Sequence, residues 1–401
     1  MATSDAQARL ALGIFSGARV NARAHVFWDS ARSESVVAQV AVAGDFLPAG
    51  ALSLPPGGWR EAARRLAAQF DDIDVAFLNL ECALDAEGLS PRPLAGLGQI
   101  VSGPSAALDF LATIRASVIG LANNHIYDFG PAGVARTQCA LARRGIISLG
   151  AGKTLQYPPD TFLWQGPGNI RVGFWAAARA SRDLATRNRE GVEPATPARA
   201  SQAREALESA GANFSIALLH AGCLRTNRPD PGDKKLMDEI AKNGFGLVAA
   251  SHSHRIGGAK SLAVQTDSPS FSFYGIGSIA SGYIASPLER EGLIVVAGFH
   301  PNGRLARVQV RPVLLAESGF GEVPSPEMSR TILGRFQSLS QELADGSAAR
   351  LFYDDLSHGL ARLYIRDASA AFRASGLRGL IRKAGRIRMR HIRRAVHGLM
   401  G

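Results

Sequence analysis

Residues 117–130 read Ser-Val-Ile-Gly-Leu-Ala-Asn-Asn-His-Ile-Tyr-Asp-Phe-Gly, an apolar run that stops abruptly at polar side chains. Such a run predicts a buried strand that delivers Asn124 and His125 to a site. Gly130-Pro131 then supplies a helix start with proline at the first helical position, and Gly145 stands where that helix would stop. The motif therefore lies on a strand-to-helix turn. In open α/β sheets ligands bind at the carboxyl ends of strands, and an imidazole beside an amide can there coordinate a metal or protonate a leaving group. The same residues also suit a plain turn, in which asparagine tolerates positive φ and histidine caps the loop.

Working outward, four more apolar runs end in the same manner. Val36–Ala43 ends at Gly44-Asp45, Asp74–Leu80 at Glu81, Asn213–Leu219 at His220-Ala-Gly222, and Phe245–Ala250 at Ser251-His252-Ser253-His254. Five such ends in one α/β chain would bring Asp45, Glu81, Asn124, His125, His220, His252 and His254 together along one sheet edge. The mixed oxygen and nitrogen donors, without thiolate pairs, suit manganese, iron or zinc better than calcium or a structural zinc. Two metals roughly 3.5–4 Å apart need a bridging carboxylate, terminal imidazoles and an amide, with positions left open for water and a phosphoryl oxygen. His252 and His254, two apart on an extended backbone, would point to the same side and serve adjacent metals. Taken alone, His-x-His reads first as a polar loop.

With 401 residues, 46% hydrophobic and 20% charged, the chain can bury a large core and is neither disordered nor collagen-like. Its formal charge of +11 is concentrated at the end. From Arg366 to Gly401 there are ten Arg/Lys and one acid, a net of +9, which leaves +2 for the first 365 residues. In a helix, residues 373–399 would form a basic amphipathic surface, a candidate contact for an anionic membrane face. Nucleic-acid binding is not expected, because no recognition motif accompanies the charge. Cys82, Cys139 and Cys223 are odd in number and far apart, which argues against a disulfide framework. Neither a membrane span nor a secretory signal is visible. The expected location is cytoplasmic, peripheral on the inner membrane face if the tail binds lipid. Gly150-Ala-Gly-Lys-Thr154 resembles the end of a phosphate-binding loop but has isoleucine at position 147, where that motif needs glycine.

Further strands are expected at Ile146–Leu149, Ile170–Ala177, Phe271–Gly275, Gly292–Phe299 and Arg307–Val313. Helices are expected at Trp59–Phe70, Pro104–Ile114, Ala200–Ala210, Lys234–Asn243, Met328–Leu343 and Ala349–Tyr364. This divides the chain into an irregular leader (1–35), an α/β unit (36–316) and a helical extension with the basic tail (317–401).

As a set, the motifs resemble the bacterial CapA family, the capsule or poly-γ-glutamate synthesis proteins with a calcineurin-like metallophosphatase fold. The matching residues are Gly44-Asp45, Asn79-Leu80-Glu81, Asn123-Asn124-His125 with Asp128 and Gly130, His220-Ala-Gly222, His252-Ser-His254, Tyr274-Gly-Ile-Gly-Ser278 and Arg290-Glu-Gly292. They occur in the family's order over about Val37 to Leu315. The resemblance implies a layered α/β/β/α sandwich with two divalent transition-metal ions. Asp45 would bind one metal, Glu81 would bridge, Asn124 would bind the second, and His220, His252 and His254 would complete the shells. His125 would contact the phosphoryl group or protonate the leaving oxygen, oriented by Asp128. Departures from the wider superfamily are Leu47, where a histidine is usual, together with Leu224, Ser278 and Phe245-Gly246. The implied function is metal-dependent hydrolysis of phosphoesters or envelope-polymer substrates in capsule or poly-γ-glutamate synthesis. The alternative is a non-catalytic, metal-containing accessory that binds an acidic or phosphorylated polymer during capsule assembly.

Overall fold

The structure, a computed structural model, describes residues 24–30, 35–92, 99–179, 181–262 and 269–356. The basic segment 373–399 and most of the 1–35 leader lie outside the described residues. In chain order the main strands begin with β1 (His25–Asp29), β2 (Ala38–Gly50), β3 (Val75–Leu80), β4 (Ala116–Gly120) and β5 (Ile147–Leu149). They continue with β6 (Thr161–Gln165), β7 (Arg171–Ala178), β8 (Phe214–Ala221), β9 (Leu247–His252), β10 (Ala259–Leu262) and β11 (Ser270–Phe273). The last four are β12 (Ser278–Gly282), β13 (Glu291–Phe299), β14 (Leu305–Leu315) and β15 (Gly321–Glu322). The main helices are α1 (Gly58–Ala67), α2 (Leu108–Thr113), α3 (Gly130–Ala142), α4 (Pro197–Ser209), α5 (Pro231–Lys242) and α6 (Pro326–Asp345).

The strands form a nine-stranded sheet, ordered β1-β14-β13-β2-β3-β4-β5 with β12 beside β2 and β15 beside β14, and a six-stranded sheet, ordered β10-β11-β9-β8-β7-β6. Alternation along the strands stacks the two sheets. In β7, Val172, Phe174 and Ala176 join one hydrophobic cluster while Trp175 and Ala177 join another. β8 divides in the same manner, with Ile216 and Leu218 on one side and Ala217 and Leu219 on the other. Strands buried on both faces lose the apolar/polar alternation, which is why these segments read as continuous apolar runs. Phe77 of β3 meets Phe174 of β7 across the sandwich with ring centroids 5.3 Å apart. Outside the second sheet, α4 and α5 contribute Leu207 and Ile240 to the outer cluster. Outside the first, Phe46 stacks on Phe110 of α2 at 5.1 Å. The order of layers is α/β/β/α.

Two segments differ from expectation. Within the leader, His25–Asp29 is not irregular but pairs antiparallel with β14. Helix α6, expected in an extension, packs on the core. Phe27 of β1 lies 5.8 Å from Phe336 of α6 and 5.4 Å from Phe273 of β11. Each fully buried aromatic of this kind is worth about 1.5–3 kcal/mol, so both segments belong to the folded body. Strands β6, β10 and β12 were also not legible, being short or polar-flanked.

One crossing positions the site. β2 pairs antiparallel with β13 over Ala38–Ala43, then parallel with β12 from Asp45 onward. The partners change at Gly44, where a Cβ atom would stand 1.9 Å from the Gly277 carbonyl oxygen. The Asp45 N–H donates to that same oxygen at 3.1 Å. Gly44→Ala should therefore lower stability by about 3 kcal/mol or more, because the added Cβ would meet backbone carbonyls that cannot swing aside. Gly334, on the exposed face of α6, has no atom within 4 Å of an added Cβ. Gly334→Ala should raise stability by about 1 kcal/mol. Denaturant unfolding of both variants checks the pair of opposite signs.

Candidate metal centre

β2 and β3 run parallel and bring Asp45 and Glu81 side by side, both essentially without solvent exposure; Glu81 follows the last residue of β3, whereas Asp45 lies inside β2, which continues past it to Gly50 instead of ending there. Asn79 donates its amide to Asp45 Oδ1 at 2.7 Å and lies 3.3 Å from His220 Nδ1. Asn123 donates to Asn79 Oδ1 at 3.1 Å and to the Leu80 carbonyl at 2.8 Å. Its own Oδ1 accepts the N–H groups of His125 and Ile126 at 3.0 and 2.9 Å. Asn123 thus shapes the turn after β4 and locks it to β3.

The second sheet supplies the imidazoles. His220 Nε2, at the end of β8, lies 2.6 Å from Asn124 Oδ1 and 3.2 Å from Glu81 Oε1. His254 Nδ1 lies 3.3 Å from Asp45 Oδ2, 3.3 Å from Ser278 Oγ and 3.8 Å from Glu81 Oε2. The His252 ring sits 4.5 Å from that of His220, and the His252 backbone N–H donates to Asp45 Oδ2 at 3.0 Å. All six residues expected as ligands are brought together.

The expected extended backbone between His252 and His254 is not what brings them there. Both have left-handed φ values, 99° and 55°. In β9, Leu247 and Ala249 face the inner cluster and Val248 and Ala250 the outer one. Plain alternation would carry His252 outward with Val248 and Ala250; the positive φ breaks it and returns the ring to His220. Asn79 and Asn123 were not read as site residues. Their signal was a buried-type asparagine inside an apolar run, next to the carboxylate or imidazole that it positions.

The donor set fits divalent ions. Among the described residues, Glu81, His220 and His252 form one group, and Asp45, Glu81 and His254 another, each with donor atoms within 4.8 Å of one another. Glu81 belongs to both. Glu81 Oε2 and His252 Nδ1 are buried without a hydrogen-bond partner, as expected of atoms that await an ion.

The electrostatics show how the donors share charge. Burial would raise the Asp45 carboxyl, yet the hydrogen bond from His254 and the charges of His220 and His254 hold it well below the ordinary range. Glu81 is pushed up, by burial and by the neighbouring Asp45. Burial would lower His254, but Glu81 and Asp45 raise it. His220 is lowered by burial, and His252 by burial and then by the two histidines beside it. Neutral imidazoles are the form that ligates metals.

Beside this cluster, His125 Nδ1 lies 2.8 Å from Asp128 Oδ2. Asp128 is buried, accepts the Val101 N–H at 2.9 Å, and has the Arg182 guanidinium 3.6 Å away. Burial lowers the proton affinity of His125, but the Asp128 bond and the charge of Glu81 outweigh it and raise the net value. Of the departures, Leu47 is buried, Leu224 is exposed, and Ser278 faces His254. Among the described residues no helix is long and apolar enough to cross a membrane.

The 5'-nucleotidase precursor of Thermus thermophilus is similar over 75% of this chain and 58% of its own, with a TM-score of 0.45 and 14% identity. A calcineurin-like phosphoesterase of Bacillus subtilis covers 77% of this chain and 99% of its own, with a TM-score of 0.42 and 11% identity. A Mycobacterium tuberculosis protein (strain CDC 1551 / Oshkosh), named probable polyglutamine synthesis accessory protein, is 28% identical over 223 residues, 52% of this chain and 56% of the relative. The match thus spans little more than half of that relative's length. The sequence pattern of the family described as bacterial capsule synthesis protein PGA_cap matches residues 39–283, more than half of the chain, and the chain belongs to that family.

Proposed function

We propose that this chain is a metal-dependent hydrolase of capsule or poly-γ-glutamate synthesis, acting on phosphoesters or on an acidic envelope polymer. The observation that supports this reading most is the His125–Asp128 pair, held at 2.8 Å beside two donor groups that share Glu81. Asp45, Glu81 and His254 would hold one manganese, iron or zinc ion, and Glu81, His220, His252 and Asn124 a second. Such ions supply Lewis acidity to the oxygen under attack.

The remaining work falls to the chain's own side chains. With Asp128 accepting the Nδ1 proton, His125 presents Nε2 away from its partner, so that nitrogen contacts the phosphoryl group or delivers a proton to the leaving oxygen. The raised proton affinity of His125 suits a group that must hold a proton before giving it up. Asn123 fixes where the imidazole stands by accepting its backbone N–H. Asn79 fixes Asp45 and His220 together.

The word accessory in the name of the mycobacterial relative favours a second reading, a metal-containing accessory that does not turn its polymer over. Metal content and turnover separate the two. Elemental analysis of the purified wild type should find a bound transition metal, and Glu81→Ala should lose nearly all of it, because Glu81 serves both groups. His252→Ala and His254→Ala should each lose a part. A metal-free wild type, after growth in supplemented medium, would remove both readings.

Turnover is tested at His125. Positioned acids contribute about 10²–10⁴-fold in rate, so His125→Ala should lose hydrolysis by that factor on generic phosphomonoesters or diesters and keep its metal. Asp128→Asn should lower the rate as well, by releasing the tautomer. Bound metal in a wild type with no turnover would leave the accessory reading.

A further inference from the structure

Three loops meet at Asp128, and none of the residues they bring belongs to the set of metal donors. From the loop that ends at Arg92, the Arg92 N–H donates to the Asp128 carbonyl at 2.8 Å. From the stretch before α2, the Val101 N–H donates to Asp128 Oδ2 at 2.9 Å, the same oxygen that lies 2.8 Å from His125 Nδ1. From the loop after β7, Arg182 brings Nη2 to 3.6 Å from the other oxygen, Oδ1.

This last loop is built around a second buried carboxylate. Asp183 is 5% exposed, and each of its oxygens faces one guanidinium: Oδ1 meets Arg92 Nη1, and Oδ2 accepts from Arg182 Nε at 3.1 Å. Its backbone is fixed as well. The Asp183 carbonyl accepts the Val192 N–H at 2.8 Å, from the short ribbon in which Ala151–Lys153 pairs with Gly191–Val192. A Cβ at Gly191 would stand 2.4 Å from that carbonyl oxygen, so the close approach requires glycine.

Charges therefore alternate along one line, Arg92, Asp183, Arg182, Asp128, and the line ends on His125. Two guanidiniums balance two carboxylates, so no surplus charge is left to call for a ligand. What the line supplies is direction. Nε and Nη2 lie on one edge of a planar guanidinium, and in Arg182 that edge spans from Asp183 to Asp128. The side chains of Arg92 and Arg182 are 40% and 34% exposed, too open for these pairs to add much stability. A long side chain on a loop keeps one orientation only when a partner offsets its lost rotamer freedom, and the buried Asp183 is that partner. Asp128 directs Oδ2 to both Val101 and His125, and a cation at Oδ1 keeps the carboxylate from turning over and releasing the imidazole.

We propose that Asp183, acting through Arg182, is a positioning residue for the His125–Asp128 pair. The assignment rests on the reading of His125 as the side chain that meets the phosphoryl group or the leaving oxygen. Asp183 does not act on the substrate; it sets where the Asp128 carboxylate, and with it the imidazole, stands.

The test pairs turnover with a signal that needs none. A misplacement of about 1 Å can cost about 100-fold in rate, and the hold here is indirect, so Asp183→Asn should lower kcat on p-nitrophenyl phosphate about tenfold with KM unchanged. In an Asp128→Asn background the same change should cost nothing further, because its effect runs through Asp128. Arg182→Ala, at an exposed position, should repeat both results at an unchanged melting temperature, so the test survives if Asp183→Asn does not fold. Proton NMR of the full chain in zinc-containing buffer gives the second readout. The His125 Nδ1–H should appear as a downfield resonance that His125→Ala deletes and that Asp183→Asn and Arg182→Ala broaden away by exchange with water. If the wild type turns over no phosphoester, the hydrolase reading fails and this resonance alone decides the positioning. A lowered melting temperature with a His125 signal of wild-type width in both variants would mark a plain loop staple and overturn the proposal. So would the absence of that signal from the wild type, or a rate loss that adds in full to that of Asp128→Asn.

Discussion

Two carboxylates, Asp45 within β2 and Glu81 just past the adjacent parallel strand β3, meet with almost no exposure, and the rest of the structure is arranged to make that tolerable. Two ionised carboxylates cannot share a buried site without compensating charge. Asp45 is satisfied by the Asn79 amide, the His252 N–H and the His254 imidazole. Glu81 has His220 and His254 nearby and still keeps one oxygen without a hydrogen-bond partner. The compensation comes from the opposite sheet. β8 and β9 must therefore end opposite Asp45 and Glu81, and the sandwich brings the two pairs together at one edge.

Delivering those imidazoles requires backbone conformations that the sheet itself would not choose. His252 and His254 both occupy the left-handed region, at a cost on the order of 1–3 kcal/mol each. Such strain persists where the surroundings over-determine it. Here the His252 N–H is held by Asp45, its ring lies against His220, and Ser278 meets His254. Ser278 in turn sits at the start of β12, paired opposite Asp45. The strained residues and the carboxylate thus hold each other in place.

The strand ends were legible because an apolar run that stops on Asp, Glu, Asn or His is a strong local signal, and five of them occurred in one order. The layering came from the family resemblance of those motifs taken together, and the uninterrupted apolar runs of strands buried on both faces agree with it. Less visible was anything decided by backbone geometry. A sequence spacing of two suggests that His252 and His254 share a side on an extended strand, whereas their positions depend on two positive φ angles. β1 was hidden because its short, mixed segment becomes a strand only through pairing with β14 and burial of Phe27 among Phe271, Phe273 and Phe336. Asn79 and Asn123 went unread because their work is to hold other side chains, and a hydrogen bond between strands leaves no periodic mark.

The C-terminal helices extend this dependence beyond the family-matched stretch, which ends at residue 283. Arg228, on the loop between β8 and α5, forms a two-bond pair with Glu342 of α6 at 2.6 and 2.8 Å and meets Asp355, in the helical segment 348–356, at 2.7 Å. From the same helix, Arg335 reaches Glu291 at 2.8 Å, and Ser340 accepts the Ala259 N–H at 3.0 Å. Half-buried ion pairs of this kind add little net stability once desolvation is counted. What they fix is position. Arg228 lies one residue from Asn227, which binds the loop after His254, so α6 holds the two histidine-bearing loops in register with each other. The helical extension therefore constrains the geometry of the centre.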